Sequence, residues 1–264
     1  MRTRRFGTVL CVLLLTPFIG LAAELNVAVA ANFRPVLSAL TDRFQAETGD
    51  KINLSFASTG ALYNQIIYGA PFDVFLSADA HRPKMLEERA LTEPGSRIPY
   101  AYGRLVLWHR DKEPVDLSAL RAWQHHIAVA NPVTAPYGKA ADDVLRHLKL
   151  LDQKRPLLIT GTNILQTYQY VASGNVALGF VACSQLVADG IDKGIYFVPE
   201  ELYEPLRQEA VILKASRKKA LANKFLTWLQ SSDVQRFIHE QGYYPAHSVQ
   251  AQQNHDVKQG QAFP

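Results

Sequence analysis

Residues 54–67 read LSFASTGALYNQII, and the fold turns on how this stretch is parsed. Leu54, Ser55 and Phe56 end a short strand. Residues 57–60 are small and hydroxyl-bearing, and a helical spacing then begins with Leu62 and Ile66 four apart. A Ser or Thr just before such a run is an N-cap signal, because its oxygen can take up a first-turn N–H that has no partner inside the helix. Gly60 lets a foreign group come close to the backbone. Read for function, the same turn offers free N–H donors and the positive end of a helix dipole, which suits an anion. Read for structure, Ser58 and Thr59 are caps and nothing more. The motif alone does not decide between the two.

The pattern recurs on the N-terminal side. Residues 25–30 (LNVAVA) are apolar enough for a buried strand, and they run into Ala31 and Asn32. A helix follows with Phe33, Val36, Leu37, Leu40 and Phe44 on one face. Asn32 reads as its N-cap, Pro35 falls in the tolerated first turn, and Gly49 ends it. In a parallel sheet both turns lie at the carboxyl edge, where ligands of open α/β sheets bind.

The alternation continues towards the C-terminus. Residues 72–77 form a third buried strand, and Asp79 can cap a helix carrying Met85, Leu86 and Ala90. Residues 98–108 form a long strand-like run broken at Gly103. Residues 127–130 are a strand ending in Asn131-Pro132 and the turn TAPYG (134–138). The helix after it carries Ala140, Ala141, Val144, Leu145 and Leu148. Strands at 157–159 and 178–181 flank a helix with Ile164, Tyr168 and Val171. A late strand at 210–213 and helices at 220–229 and 234–241 close the pattern. Such alternation predicts an α/β fold with one or two mostly parallel sheets. The expected division is a first lobe at 24–102, a second at 103–210 that includes the crossover strands, and a return of 211–247 to the first. Two crossing strands then make a hinge around a cleft.

Residues 1–23 stand apart. Arg2, Arg4 and Arg5 precede a long apolar run and a small-residue end at Ala22-Ala23, which reads as a secretory signal cleaved near Ala23. The chain has 28 Lys+Arg against 24 Asp+Glu. Without the three leader arginines, 25 basic residues face 24 acidic ones, a net of +1. The basicity is the leader's, so neither nucleic acid nor an anionic membrane is implied as a partner. Of the two cysteines only Cys183 remains, which excludes an intramolecular disulfide in the exported chain. Residues 248–264 are Gln-rich, polar and aperiodic and read as a disordered tail.

The runs VAVAANF, FASTGALYNQIIYGAPFDVFLSAD, YGRLVLW, NPVTAPYGKAA and SGNVALGFV together resemble the periplasmic molybdate-binding proteins of ABC importers, the ModA type. The similarity reaches from the first strand to about Tyr244. It implies a two-lobed type II periplasmic solute-binding fold that closes on a tetrahedral oxyanion, molybdate or tungstate, held by hydroxyls and backbone N–H groups. Carried over residue by residue, the ligand-binding positions are Asn32 with Ala31 beside it, Ser58 and Thr59, then Tyr137 and the backbone of Ile164. Many members place a Tyr hydroxyl just after the strand equivalent to GFV, where this chain has Ala182. The resemblance implies that Tyr137 makes good that loss from the opposite loop. It further implies a monomer that hands its ligand to a membrane permease, with no cofactor, no metal beyond that of the oxyanion, and no enzymatic activity.

Other readings stay open. Binding of another small anion or a carboxylate would call for an Arg or Lys in the cleft loops, and Arg34 and Lys139 lie near enough in sequence. A secreted hydrolase would use Ser58 as nucleophile, but the sequence has no GxSxG elbow and no evident His partner. Tyr137 can equally be a lobe-packing aromatic. Cys183 reads as buried and inert. The eight histidines show no metal-ligand spacing, and Asp142-Asp143 read as a solvated first turn.

Overall fold

Apolar runs alternate with amphipathic helices in two separate sheets, and the computed structural model places a cleft between them. It describes residues 24–111 and 114–246. The expected leader at 1–23 and tail at 248–264 lie outside the described residues. The first lobe runs β1 (Glu24–Ala30), α1 (Arg34–Thr48), β2 (Lys51–Ala57), α2 (Thr59–Ile67), β3 (Val74–Ser77), α3 (His81–Glu88) and β4 (Ile98–Gly103). The second comprises β5 (Leu105–His109), α4 (Leu117–Ala122), β6 (Ile127–Ala130), α5 (Pro136–His147), α6 (Leu151–Lys154), β7 (Leu158–Gly161), α7 (Ile164–Ala172), β8 (Leu178–Ala182), α8 (Cys183–Ala188) and β9 (Ile195–Phe197). The chain then returns through β10 (Leu206–Ile212), α9 (Lys219–Leu229) and α10 (Ser232–Glu240) to the first lobe.

Each lobe is built on a five-stranded sheet, in the orders β2-β1-β3-β10-β4 and β7-β6-β8-β5-β9. In each, four strands run one way and one runs against them, β10 in the first sheet and β5 in the second. The sheets are therefore mostly parallel, each with a single reversed strand. The cause is the pair of crossings: β4 passes almost directly into β5 through Arg104, and β10 comes back between β3 and β4. The return also begins at Leu206, not near 211. Gln208 and Glu209 break the apolar pattern of β10, yet both are buried. Glu209 is held by Arg97 at 2.9 Å and Arg207 at 2.9 Å, and the ladder to β4 is bulged between Gln208 and Glu209.

The predicted inner face of α1 is buried, with Phe44 edge-on to Phe225 at 5.5 Å and to Trp228 at 5.1 Å. Burying such a side chain contributes about 1.5–3 kcal/mol. Gly49 ends the helix at φ 77°, the left-handed conformation that glycine adopts without cost. Asn32 is not its N-cap. It lies in a 3-10 turn at Ala31–Phe33 ahead of α1, and its amide goes elsewhere. Among the described residues, no helix is long and apolar enough to cross a membrane.

Candidate anion-binding cleft

Four strand-to-helix turns meet at the seam between the lobes: those after β1 and β2 in the first, those before α5 and α7 in the second. The lobes touch there. Gly60 N–H donates to the Thr134 carbonyl at 2.8 Å, and Arg82 Nη2 donates to the Val133 carbonyl at 2.7 Å. Ala30, Ala31 and Ala78 of the first lobe pack in one apolar cluster with Ala130, Ala135, Tyr137, Ile164 and Ala182 of the second. All six expected site residues are buried, Asn32 at 1 % exposure and Ser58 at 6 %. An open cavity of about 460 Å³, lined by Asp79, Arg82, Lys139 and Asp143 among others, lies beside these six and includes none of them.

The turns differ in what they offer. Ser58 is the N-cap residue of α2, but its hydroxyl makes no cap bond and no other hydrogen bond among the described residues. Thr59 Oγ1 accepts from Ala78 N–H at 3.2 Å and keeps its own proton to give. In the second lobe Asn163 caps α7 conventionally, its Oδ1 accepting from Gln166 N–H at 3.0 Å. Ile164 is the first residue of that helix, where a backbone N–H has no intrahelical acceptor. Pro136 opens α5, so Tyr137 supplies the first N–H there. Ala31 has no side-chain donor and can contribute only backbone.

Two side chains expected in the cleft also meet the returning strand β10. Tyr137 Oη lies 3.4 Å from Gln208 Nε2, against Gly103 on the first crossing strand. A Cβ at Gly103 would stand 2.2 Å from that oxygen, so this glycine makes room for the ring. The Tyr137 hydroxyl accepts in the Gln208 contact and keeps its own proton to give. Asn32 gives Nδ2 to Gln208 Oε1 at 2.9 Å and to Tyr243 Oη at 3.0 Å. Its backbone carbonyl accepts from Tyr243 Oη at 2.9 Å and Ser184 Oγ at 3.2 Å, the latter from α8 of the second lobe. Tyr100 Oη completes the cluster, 2.9 Å from Gln208 Oε1 and 3.0 Å from the Ser77 carbonyl. Burial pushes the phenols of Tyr100, Tyr137 and Tyr243 well above the ordinary tyrosine value, so they stay protonated donors. Sequence reasoning does not reach Gln208, Tyr100, Ser184 or Tyr243. The local signal is slight, since Gln208 stands between Arg207 and Glu209 in the polar first half of β10.

Charge is kept away from the six. Arg34 is exposed and stacks on Phe56 at 5.3 Å, and Lys139 pairs with Asp143 one helical turn on. Arg82 pairs with Asp79. Among the described residues none of the six hydrogen-bonds a Lys or Arg, and no His partners Ser58. Nor is there a cluster of His, Cys, Asp and Glu able to hold a metal ion. Cys183 is buried, its thiol pushed up to about 11, which leaves it inert as expected.

The model of bacterial extracellular solute-binding proteins matches residues 25–244. The molybdate-binding protein ModA of Azotobacter vinelandii is 43 % identical over 227 residues, covering 84 % of this chain and 90 % of that protein. ModA of Rhodobacter capsulatus is 41 % identical over 225 residues, 84 % of this chain and 88 % of its own. Among solved structures, the periplasmic molybdate-binding protein of Azotobacter vinelandii superposes with a TM-score of 0.79 at 37 % identity, covering 83 % of this chain and 98 % of that one. In sequence, sheet topology and the meeting of four helix turns at an interlobe seam, the chain belongs to the bacterial extracellular solute-binding protein family, as a member of the ModA type.

Proposed function

We propose that this chain is an exported receptor that binds molybdate, and equally tungstate, in the seam between its lobes and hands it to the membrane permease of an ABC importer. The observation that carries this reading is Ser58: the hydroxyl of a residue only 6 % exposed, which sits at a helix N-terminus and is withheld from the helix it heads. Around it the backbone N–H groups of Ala31, Tyr137 and Ile164 and the hydroxyl of Thr59 complete a neutral donor set, and Asn32 adds an amide. The identity to two ModA proteins supports the choice of ligand.

A dianion is held without cations if several N–H and O–H dipoles converge on it. Hydrogen bonds to a charged group contribute roughly 1.5–3 kcal/mol each, so five to seven give about 10 kcal/mol or more before desolvation and closure are subtracted. Micromolar affinity needs about 8 kcal/mol. Fixed donors also select by size: sulfate and phosphate have shorter bonds to oxygen and leave donors unpaired. Hydrogen phosphate further needs an acceptor. Asp79, which follows β3, is taken by Arg82 and Ser77. The protein acts in the periplasm as a monomer, needs no cofactor and carries out no catalysis.

Calorimetric titration of the exported chain with molybdate, tungstate, sulfate and phosphate tests this. The first two should bind at micromolar or tighter and sulfate at least about a hundredfold weaker, a gap of about 2.7 kcal/mol. Equal affinity for sulfate would refute selection by size, and silence towards all four would refute the reading.

A further inference from the structure

Asn32 has two amide protons, and both are taken by protein acceptors, Gln208 Oε1 and Tyr243 Oη. The end of the amide left without a protein partner is Oδ1. An anion beside it would meet a carbonyl oxygen, which repels it. Gln208, fully buried on the returning strand β10, fixes this setting by presenting Oε1 to Asn32.

That setting has a fault. Tyr100 has one proton and two oxygens in reach, Ser77 O at 3.0 Å and Gln208 Oε1 at 2.9 Å, so one contact is oxygen on oxygen with no hydrogen between. The two ends of an amide have the same shape but opposite roles. If both amides turn over, Gln208 Nε2 donates to Asn32 Oδ1 and to Tyr100, and Tyr100 is free to donate to Ser77. Tyr137 then donates to Gln208 Oε1. At the far corner Tyr243 now gives its proton to Asn32 Oδ1, and one contact in the Ser184–Tyr243–Asn32 group loses its hydrogen. The turn relieves one bare contact at Tyr100 and creates one at Tyr243. Hydrogen bonding alone does not choose between the settings, and no heavy atom outside the two amides has to move.

We propose that Gln208 is a positioning residue for the ligand, and that the Asn32 and Gln208 amides turn over together when an oxyanion enters, presenting Asn32 Nδ2 to it. This rests on the oxyanion-binding reading above. Because the relay touches Tyr137 and Ser184 of the second lobe and Asn32 of the first, it also links ligand contact to the hinge.

The test is a double-mutant cycle read by calorimetric titration with molybdate, with apo melting curves beside it. Gln208→Met keeps the bulk and neutrality but cannot donate to Asn32 Oδ1. Gln208→Met and Asn32→Ala should each weaken binding about tenfold or more. The double variant should be no weaker than Asn32→Ala alone, within about threefold, because Gln208 acts through Asn32. Multiplying losses, or full affinity in Gln208→Met, would overturn the relay while leaving the receptor function standing. A wild type that binds neither molybdate nor tungstate would overturn both. Where Gln208→Met does not fold, Gln208→Glu runs the same cycle: as carboxylate it can only accept, so its loss should vanish in the Asn32→Ala background, whereas plain charge repulsion would persist there.

Discussion

The helix turns after β2 and before α7 look alike in sequence, each a small polar run leading into an amphipathic helix, yet they spend their caps differently. Asn163 gives its oxygen to the helix it heads, and what remains for a ligand is the backbone N–H of Ile164. The Ser58 side chain gives its helix nothing, and what remains is a whole hydroxyl. On the proposed reading the first lobe adds side chains to its main-chain donor, whereas the second offers main chain. A missing cap bond leaves a side chain free without making it a ligand residue, since Ser231 heads α10 without one too; its place at the seam is what sets Ser58 apart.

Substitution can break this contrast. The largest effect should come from Ser58→Ala, which removes a charge-assisted bond and should cost about 1.5–3 kcal/mol of binding, about 10- to 150-fold in Kd. Apo stability should move by less than about 0.5 kcal/mol, since no cap bond is lost. An apo protein that melts far lower, with affinity per folded molecule intact, would make Ser58 a plain cap after all.

Gly60→Ala comes next and separates closure from folding. A Cβ there would lie 2.9 Å from Thr134 Cα and 3.1 Å from Thr134 O, both backbone atoms of the opposite lobe. Within α2 alanine is the better helix former by up to about 1 kcal/mol. The variant should thus melt at or above the wild type while losing about 1–3 kcal/mol of affinity to crowding at the seam. Small-angle scattering with saturating molybdate should show the wild type contracting and the variant contracting less. An identical contraction would remove Gly60 from the closing contact.

Asn163→Ala should do the reverse of Ser58→Ala, lowering apo stability by about 1 kcal/mol with no more than about a threefold change in Kd. A larger loss of affinity than of stability would show that this side chain, too, meets the ligand.

The smallest effect is that of pH on the hinge. The phenols of Tyr100, Tyr137 and Tyr243 are raised by burial, so the folded protein holds protons that the unfolded chain releases above about pH 10. Their contribution to stability is complete below that value and declines above it. Between pH 6 and 9 molybdate affinity should be flat, and a midpoint in that window would point to a titrating group these phenols do not supply.

Much of this was legible in the sequence. The apolar strands and one-sided helices of the first lobe follow from local pattern, and the break at Gly103 marks the crossing from β4 to β5. The position of Ser58 follows from the strand–turn–helix reading. The antiparallel place of β10 was not legible, because Gln208 and Glu209 look like surface residues until Asn32, Tyr100 and Arg97 arrive from far along the chain. Nor was the setting of Tyr137: its ring packs against Gly103 on the first crossing strand, a contact that no local pattern announces.

The order of the first sheet, β2-β1-β3-β10-β4, has a consequence for how the protein is made. The fourth strand of that sheet is synthesised after the entire second lobe, and β4 has no place to pair until β10 slots in beside β3. The second lobe is continuous from Leu105 to Phe197 and can assemble as it emerges. The first must wait with β3, all four of its residues destined for burial, carrying an open edge. The half that arrives first is the half that finishes last, and that interval is when a nascent receptor is most open to strand exchange with its neighbours.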